Sequence, residues 1–337
     1  MLNNIKKLKI KKNNNFNNLL KFDNLNDLQV INIKGPDSKI FLQNQLTIDI
    51  NKLDNNINFF NAIHCSSQGK ILTNMHIFKN FDNHYKYIIR KNIVKKYLKD
   101  IKKYTIFYDI KIFLNLKENI FGVSSDIKLK KNIFTILKKK NIFFKKETLS
   151  FFEKDIFLKF CYYNNYYLMI LSEKNINFFI QDFFSKKLIY LSKKYNFLDK
   201  FYMKIGYPII DINNNYNLFL PQQSNMEAFN SIDFNKGCYL GQEIISSLKF
   251  KKKKDNQLCL LEGQANFLPS YNDLLEFKNN KTKKWEIIRG SIILKSLILK
   301  SNLIWIQLIL KNNILKNSLI RFKKDKKSIF FIIKIFE

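Results

Sequence analysis

The stretch Lys236-Gly237-Cys238-Tyr239-Leu240-Gly241-Gln242-Glu243, called the thiol segment below, carries the densest chemistry of this sequence. It places a thiol, an ammonium, a carboxamide and a carboxylate within eight residues. Two of its positions are glycine, although the whole chain of 337 residues has only 8 glycines. Because glycine allows a positive φ and a close approach of two backbones, we expect Gly237 and Gly241 to fix the position of Cys238 between them.

Cys238 is the candidate catalytic residue. A thiolate is a nucleophile or a metal ligand, and a nearby cation lowers the pKa of a thiol, so Lys236 is a candidate for its activation. The alternative is a buried Cys238 that packs as a small apolar side chain. Glu243 either fixes an N–H group of a ligand or orients Lys236, or it is simply a carboxylate favoured by the dipole at a helix N-terminus. The residues alone leave these alternatives open.

A cluster of amides precedes the thiol segment. Gln222, Gln223 and Asn225 supply three carboxamides within four residues, directly after Pro221. Carboxamides both donate and accept hydrogen bonds, so they suit the edge of a heterocyclic ligand. The alternative is that they serve as turn and cap residues.

His64-Cys65 followed by Gln68-Gly69-Lys70 forms a second polar cluster. Adjacent residues of a strand point to opposite faces, so His64 is interpreted as a hydrogen-bonded core residue and not as a metal ligand. The four cysteines, Cys65, Cys161, Cys238 and Cys259, form no C-x-x-C pair and have no zinc-site spacing. The sequence therefore predicts no metal site.

Hydrophobic periodicity predicts a mixed α+β chain. Helices are expected from Pro36 through Leu46, over 92–103 and over 175–187. A hairpin connection is expected at Ser66 to Lys70, and a linker at 249–255. The C-terminal part, 257–337, is expected to form a small β-barrel or sandwich. Strands are expected over residues 28–33, 59–64, 71–78, 85–90, 106–114, 155–160 and 166–171.

The formal net charge of +32 suggests a polyanionic partner. Of the 59 basic residues, however, only Arg90, Arg289 and Arg321 are arginine, and arginine is the side chain preferred for bidentate phosphate and base contacts. Lysine, asparagine, isoleucine and phenylalanine share A/T-rich codons, so drift in base composition also explains the bias. We expect weak, salt-dependent attraction of RNA.

Redox and targeting features predict a cytoplasmic protein with free thiols. The basic start of the chain lacks a following apolar region of the signal-peptide type. The sequence has no apolar run of about 18 residues, so no membrane span is expected. Residues 1–18 are rich in lysine and asparagine and are expected to be poorly ordered.

Taken together, these segments resemble the YgfZ family of folate-binding proteins linked to tRNA modification. That family is related to the T protein of the glycine cleavage system and to a mitochondrial iron–sulfur assembly factor. The thiol segment is similar to the family's K-G-C-Y-x-G-Q-E signature. Supporting stretches occur in register at residues 34–38, 41–49, 64–74, 102–107, 206–211 and 221–225.

The resemblance implies an α+β fold of three subdomains around a central opening. A split N-terminal domain is expected over residues 19–110 and 196–250. A ferredoxin-like subdomain is inserted at residues 111–195, and a C-terminal β-barrel occupies residues 256–337.

The resemblance also implies a function. It suggests an accessory factor with no turnover of its own, which binds tetrahydrofolate or a derivative and supports iron–sulfur enzymes of tRNA thiomethylation through Cys238. The expected folate-binding positions are Gln222, Asn225 and Glu243, with Leu28 and Leu198 where the family has folate-stacking tryptophans. Loss of each stacking ring removes about 0.5–1.5 kcal/mol beyond area burial.

Two other functions are compatible with the sequence. One is a tetrahydrofolate-dependent aminomethyltransferase, which the related T protein suggests, although no T-protein active-site segment is recognisable. The other is a basic RNA-binding module without catalysis, which the charge suggests. Lysines spread along the whole chain weaken the second alternative.

Overall fold

The computed structural model describes residues 20–53, 58–124, 148–160, 166–173, 175–177, 179, 189–191, 197–211, 215–249, 256–279, 281–300, 302–311, 314 and 318–336. The described α-helices of regular length are α1 Ser38–Gln45, α2 Val94–Thr105, α3 Phe197–Ile205 and α4 Gln242–Lys249. Short 3-10 helices cover Ile50–Leu53, Lys91–Ile93, Pro221–Ser224 and Met226–Phe229. The strands are β1 Leu20–Asn24, β2 Leu28–Lys34, β3 Phe60–Cys65, β4 Ile71–Phe81, β5 His84–Arg90, β6 Lys111–Leu114, β7 Asn119–Ser124, β8 Leu149–Phe152, β9 Asp155–Lys159, β10 Tyr166–Leu171, β11 Ile189–Leu191, β12 Asn256–Gln264, β13 Leu275–Lys278, β14 Trp285–Ile287, β15 Ile292–Lys300, β16 Leu303–Lys311, β17 Ile320–Phe322 and β18 Asp325–Phe336.

The chain divides into two compact units. The first contains the described residues of Met1–Asn26 and Leu116–Asn196, and the second those of Asp27–Asn115 and Phe197–Glu337. The first unit has a six-stranded sheet in the order β11-β1-β7-β10-β9-β8. Strand β1 pairs parallel to β11 and antiparallel to β7.

This placement of β1 differs from the expected domain boundaries, which assigned residues 19–26 to the split domain. The pairing of β1 with β7 and β11 fills an interior position of the six-stranded sheet. The backbone of Leu25 continues the contact, because its N–H donates to the carbonyl of Ile120 at 2.9 Å. The partner strands β7 and β11 lie far from β1 in the sequence, so they are not visible in its local pattern.

The second unit begins with a five-stranded antiparallel sheet in the order β3-β4-β5-β2-β6. Helices α1 and α2 cover its apolar side. The buried cluster includes Phe41 and Leu42 of α1, Tyr97 and Ile101 of α2, and Ile31 of β2. Burial of such side chains contributes about 1.5–3 kcal/mol each. The sheet and the two helices are thereby held as one core.

The C-terminal part of the second unit is a seven-stranded sheet in the order β14-β13-β17-β18-β12-β16-β15. Its core includes Leu261, Leu308 and Phe330. Gln307 of β16 joins this sheet to the rest of the unit. Its amide donates to the carbonyl of Tyr207 at 2.9 Å and accepts from the N–H of Ile209 at 3.0 Å.

Most expected strands are confirmed within one to three residues, but the segment from Ile106 to Ile110 is not a strand. Helix α2 continues to Thr105, whose hydroxyl donates to the carbonyl of Lys102 at 2.8 Å. A turn follows, and β6 starts only at Lys111. The strand was expected because Ile106 and Phe107 are apolar, but both side chains are exposed. Helix α1 starts at Ser38, so Pro36 precedes it.

Several expectations lie wholly or mostly outside the described residues. These are the order of residues 1–18, the linker at 249–255, most of the helix expected over 175–187, and the placement of Cys161. No helix in the described part of the chain combines the length and apolarity needed to span a membrane.

Candidate functional site

Lys236 holds the start of the thiol segment against helix α1. Its side chain is buried, with 8% of its surface exposed. The ammonium donates to the carbonyls of Gln43, Leu46 and Ile48 at 2.5, 2.7 and 2.9 Å. Burial lowers its pKa to about 8, against the opposing effects of Asp49 and Asp233. All three N–H groups hold backbone carbonyls in the last turn of α1 or just after it, so the ammonium is engaged in structure.

Further hydrogen bonds at Thr47 and Asn44 hold the same part of the chain. The Thr47 hydroxyl donates to the carbonyl of Ser231 at 2.5 Å, and its carbonyl accepts from the N–H of Asp233 at 2.8 Å. The N–H of Leu240 donates to the carbonyl of Asn44 at 3.0 Å. The chain from 231 to 240 is therefore fixed against the end of α1.

Gly241 brings the thiol segment against the β3–β4 hairpin. Its φ is +82°, and a Cβ atom there would come within 2.5 Å of the carbonyl oxygen of Ser66 and 3.0 Å of the Cα of Gly69. Glycine is therefore required at position 241. At Gly237, by contrast, a Cβ would meet nothing within 4 Å, so nothing in the structure explains a glycine there. The two polar clusters of the sequence thus meet through their glycines.

Cys238 is exposed, which contradicts the reading of it as a buried apolar side chain, whereas Cys65 of the adjoining hairpin is buried. Burial raises the pKa of the Cys65 thiol well above its usual range. Burial and the nearby Cys65 also raise the pKa of the Tyr239 hydroxyl. Of the two thiols in these clusters, Cys238 is the one that solvent and partners reach.

Helix α4 starts directly after the glycine, and its first residue, Gln242, bonds back to the backbone of Tyr239. Its side-chain oxygen accepts from the N–H of Tyr239 at 3.2 Å, while its own N–H donates to the carbonyl of Tyr239 at 3.1 Å. Glu243 is exposed in the first turn of α4. That position favours a carboxylate through the helix dipole, and it also leaves Glu243 accessible to a ligand.

The amide cluster mostly binds backbone. Gln222 is buried and donates to the carbonyl of Ile245 at 2.7 Å. Asn225 has a φ of +62° and donates to the carbonyl of Gly206 at 3.2 Å, and Gln223 accepts from the N–H of Leu220 at 2.8 Å. The turn-and-cap alternative describes these contacts. Within the described residues, the Oε1 atom of Gln222 is buried without a hydrogen-bond partner.

A buried polar centre lies elsewhere in the second unit, formed by Asp27, His76, Arg90, Asp199 and Tyr202. The Arg90 guanidinium pairs with both carboxylates. The His76 ring bonds Asn61 at 2.8 Å and Tyr202 at 2.5 Å, and burial lowers its pKa to about 3.

The two positions expected for folate stacking lie beside this polar centre. Leu28 is 7% exposed and Leu198 is 0% exposed. Leu28, Arg90 and Tyr202 line a cavity of only about 20 Å³, whereas ligand pockets typically occupy about 300–1,000 Å³. The cavity that Leu28 lines is therefore smaller than a folate ring, and Leu198 is fully buried outside its lining.

His64 behaves as the sequence predicted for a core histidine. It is buried between Tyr97 and Gln45, at 2.9 and 3.1 Å, and burial lowers its pKa to about 3. Within the described ranges, no group of three or more His, Cys, Asp and Glu side chains could hold a metal ion.

A larger cavity, called the Asp49 cavity, lies next to the thiol segment. Its volume is about 380 Å³, and its lining includes Asp49, Lys52, Phe60, Asp233, Phe234 and Lys249. The Lys52 ammonium pairs with Asp233 and lowers its pKa. Sequence reasoning missed this cavity because its walls come from residues 48–60 and 230–249, which are far apart in the chain. The local signal is Asp233-Phe234, which Asn235 separates from the thiol segment.

Comparison with known proteins agrees with this architecture. A family model described as "YgfZ, beta-barrel domain" matches residues 254–325. Aminomethyltransferase T of the glycine cleavage system from Bartonella henselae has a similar structure, with a TM-score of 0.67, 9% identity, and coverage of 94% of this chain and 86% of that chain. At this identity the likeness shows the fold alone. The α+β fold with a C-terminal barrel domain, expected from the sequence, is confirmed.

Relatives match over most of the chain. The tRNA-modifying protein YgfZ of Buchnera aphidicola subsp. Baizongia pistaciae (strain Bp) is 31% identical over 274 residues, covering 81% of this chain and 82% of the relative. The protein of the same name from Buchnera aphidicola subsp. Schizaphis graminum (strain Sg) is 33% identical over 261 residues, with 76% and 77% covered. That of Escherichia coli (strain SE11) is 29% identical over 259 residues, with 75% of each covered. With this identity sustained over most of its length, and with its thiol segment intact, the chain belongs to the YgfZ family.

Proposed function

We propose that this protein is an accessory factor for iron–sulfur-dependent thiomethylation of tRNA and that it acts through the thiol of Cys238. A role in tRNA modification is supported by the relatives, which bear the name tRNA-modifying protein. The observation that carries the role of Cys238 is its exposure on a segment braced by buried contacts. A thiol of this kind is accessible to a partner and held in one place, as a nucleophile or a transient ligand must be.

The hydrogen bonds of Lys236 and the close backbone contact at Gly241 explain why the thiol segment needs more than its cysteine. Lys236 and Gly241 hold the backbone on either side of the thiol through contacts that do not involve its sulfur.

Complementation tests the role of Cys238. The full chain and its Cys238→Ala variant are expressed in a bacterial strain that lacks its own YgfZ-family protein, and methylthiolated nucleosides of its tRNA are quantified by mass spectrometry. We expect the natural chain to restore these nucleosides and Cys238→Ala to fail. Cys259→Ala is the matched control, because it removes a buried core thiol and should still complement. Full restoration by Cys238→Ala would contradict the assigned role.

For the small ligand, we propose that tetrahydrofolate binds in the Asp49 cavity and not at Leu28 and Leu198. The cavity volume of about 380 Å³ lies within the range of ligand pockets. Phe60 and Phe234 offer aromatic rings to a planar heterocycle. Among the described residues, Oδ2 of Asp49 has no hydrogen-bond partner, since Gln43 and Asn51 both donate to Oδ1.

The charges of the cavity match the two ends of a folate. A carboxylate such as Asp49 accepts hydrogen bonds from the amino and ring N–H groups of a pterin. Lys249 is exposed and carries a positive charge that attracts a carboxylate tail, whereas the Lys52 ammonium is paired with Asp233. When bound, tetrahydrofolate would supply one-carbon chemistry near the thiol segment, and the protein's part is to bind and orient it.

Calorimetric titration with tetrahydrofolate tests this placement. We expect binding by the natural chain, and Asp49→Asn to weaken it by about tenfold or more, because a hydrogen bond to a charged group contributes about 1.5–3 kcal/mol. Leu28→Trp is the control and should leave the affinity unchanged, because its cavity is too small for the ligand. Stronger binding by Leu28→Trp and none by the natural chain would instead return the site to the Leu28 position.

A further inference from the structure

Helix α2 presents a row of lysines to solvent. Lys95, Lys99 and Lys102 follow a spacing of four and three residues, so they lie along one face of the helix, and all are exposed. None of the three forms an ion pair with any residue that the structure describes. Lys96, by contrast, pairs with Asp100 at 2.9 Å. The face of Lys95, Lys99 and Lys102 therefore carries an uncompensated positive charge.

The row ends at two large apolar side chains that face solvent. Ile106 is 78% exposed and Phe107 is 80% exposed, in the turn that follows α2. Their sequence position next to Lys102 and Lys103 places an exposed aromatic ring at the end of a cationic helix. Interleaved cationic and aromatic groups are the features that bind single-stranded nucleic acid without sequence preference.

This turn is fixed relative to the thiol segment. Tyr108 packs edge-on against Phe41 of α1, with ring centroids 5.3 Å apart. The hydroxyl of Tyr108 accepts a hydrogen bond from the side chain of Asn44 at 3.0 Å. The carbonyl of Asn44 in turn accepts from the N–H of Leu240 at 3.0 Å. Two consecutive hydrogen bonds thus connect the turn beside Phe107 with the backbone beside Cys238.

We propose that Lys95, Lys99, Lys102, Ile106 and Phe107, called the α2 surface, bind single-stranded RNA. The lysines contact phosphates, and the ring of Phe107 stacks on a base. The identification of that RNA as a tRNA loop rests on the proposed function, whereas the binding itself does not. RNA is favoured over a protein partner because the lysine row has no acidic partner among the described residues and matches the regular charge of a phosphate backbone.

Fluorescence anisotropy of the full chain with a labelled mixed-sequence RNA of about 12 nucleotides tests the proposal, since such sites cover about 4–16 nucleotides. The titration is made at several salt concentrations around about 0.15 M. A duplex RNA of the same length is titrated in parallel. The first variant is Phe107→Ala, with Phe81→Ala as its matched control, because Phe81 is also an exposed ring, 68% exposed at the end of β4.

The second variant replaces Lys95, Lys99 and Lys102 by glutamine. Its control replaces the exposed Lys281, Lys284 and Lys326 by glutamine, so both variants remove the same charge. We expect the α2 variant to reduce the salt slope of single-strand binding by about 2, from about 0.7 for each lost phosphate contact. Phe107→Ala should weaken binding by about fivefold or more, as the loss of one stacked base requires.

Each control variant distinguishes binding at the α2 surface from non-specific attraction by the positive charge of the whole protein. Equal weakening by the two triple variants would overturn the proposal in favour of non-specific attraction. An unchanged affinity in both Phe107→Ala and the α2 triple variant would also overturn it and leave the surface to a protein partner. Cys238→Ala should bind RNA like the natural chain, so a failure of complementation and a failure of RNA binding remain separate results.

Discussion

The thiol segment and the polar centre use ionisable side chains in opposite ways. In the thiol segment Cys238 is exposed, while Lys236 is buried in contacts with backbone carbonyls. In the polar centre, Arg90 and Asp199 are both buried and paired with each other. The cavity beside that centre holds no more than about 20 Å³. Ionisable groups thus support structure in both regions, and only the thiol segment presents a reactive group to a partner.

The first prediction concerns the polar centre and has the largest expected effect. Arg90→Leu removes the guanidinium that pairs with the buried carboxylate of Asp199, which also lies 3.6 Å from the Lys295 ammonium. Removal of one partner from a buried ion pair costs about 3–5 kcal/mol. Urea unfolding followed by the fluorescence of Trp285 and Trp305, which both lie in the second unit, measures this change.

Asp27→Asn is the control within the same network. The Asp27 side chain is 42% exposed, so its pair with Arg90 is screened by solvent and should contribute only about 1 kcal/mol or less. Equal losses in the free energy of unfolding for Arg90→Leu and Asp27→Asn would contradict the larger contribution expected of the buried Arg90–Asp199 pair.

Acid should lower the free energy of unfolding through the two buried histidines, His64 and His76, without changing the thiol segment. The pKa of His64 and of His76 is about 3 in the folded chain, below the unfolded value of 6.5, because burial disfavours the charged form. Their contribution is therefore complete above pH 6.5 and is lost as the pH falls from 6.5 toward 3. At pH 5.5, each histidine should reduce the free energy of unfolding by about 1.4 kcal/mol relative to pH 7.5.

The His76→Gln variant isolates one of these contributions. Its unfolding free energy should change between pH 7.5 and 5.5 by about 1.4 kcal/mol less than that of the natural chain. Urea titrations at the two pH values measure the difference. An identical pH dependence in both chains would mean that His76 titrates in the folded state as it does in the unfolded state.

A glycine that adopts a positive φ could be predicted from the sequence, whereas the hydrogen-bond partners of a buried side chain could not. The scarcity of glycine singled out Gly237 and Gly241, and of these only Gly241 has a positive φ, which is a local property of the backbone. The role of Lys236 was not predictable, since its acceptors at 43, 46 and 48 lie about 190 residues earlier in the chain. The Asp49 cavity was missed for the same reason. Strand β1 was misassigned because pairing depends on distant strands.

A comparison of the two glycines tests the thiol segment itself. Gly241→Ala forces a side chain into a positive φ, which costs about 1–2 kcal/mol, and its Cβ would clash with the Ser66 carbonyl at 2.5 Å. We expect a loss of at least this size in urea unfolding. Gly237→Ala should stay within about 0.5 kcal/mol of the natural chain, because its Cβ enters open space. Similar losses at both positions would mean that the segment as a whole, and not the contact at Ser66, sets the requirement.

The smallest effect on stability is expected at Cys238, where the largest effect on reactivity is also expected. Because the side chain is exposed, Cys238→Ser should change the unfolding free energy by no more than about 0.5 kcal/mol. In the folded natural chain, a maleimide should label Cys238 rapidly, while the buried Cys65 and Cys259 react only after urea is added. Peptide mass spectrometry assigns the label to each cysteine, with Cys238→Ser as the control for the first site. If Cys65 were labelled as fast as Cys238, the hairpin would open in solution, and the contrast between a solvent-facing thiol and a closed interior would no longer hold.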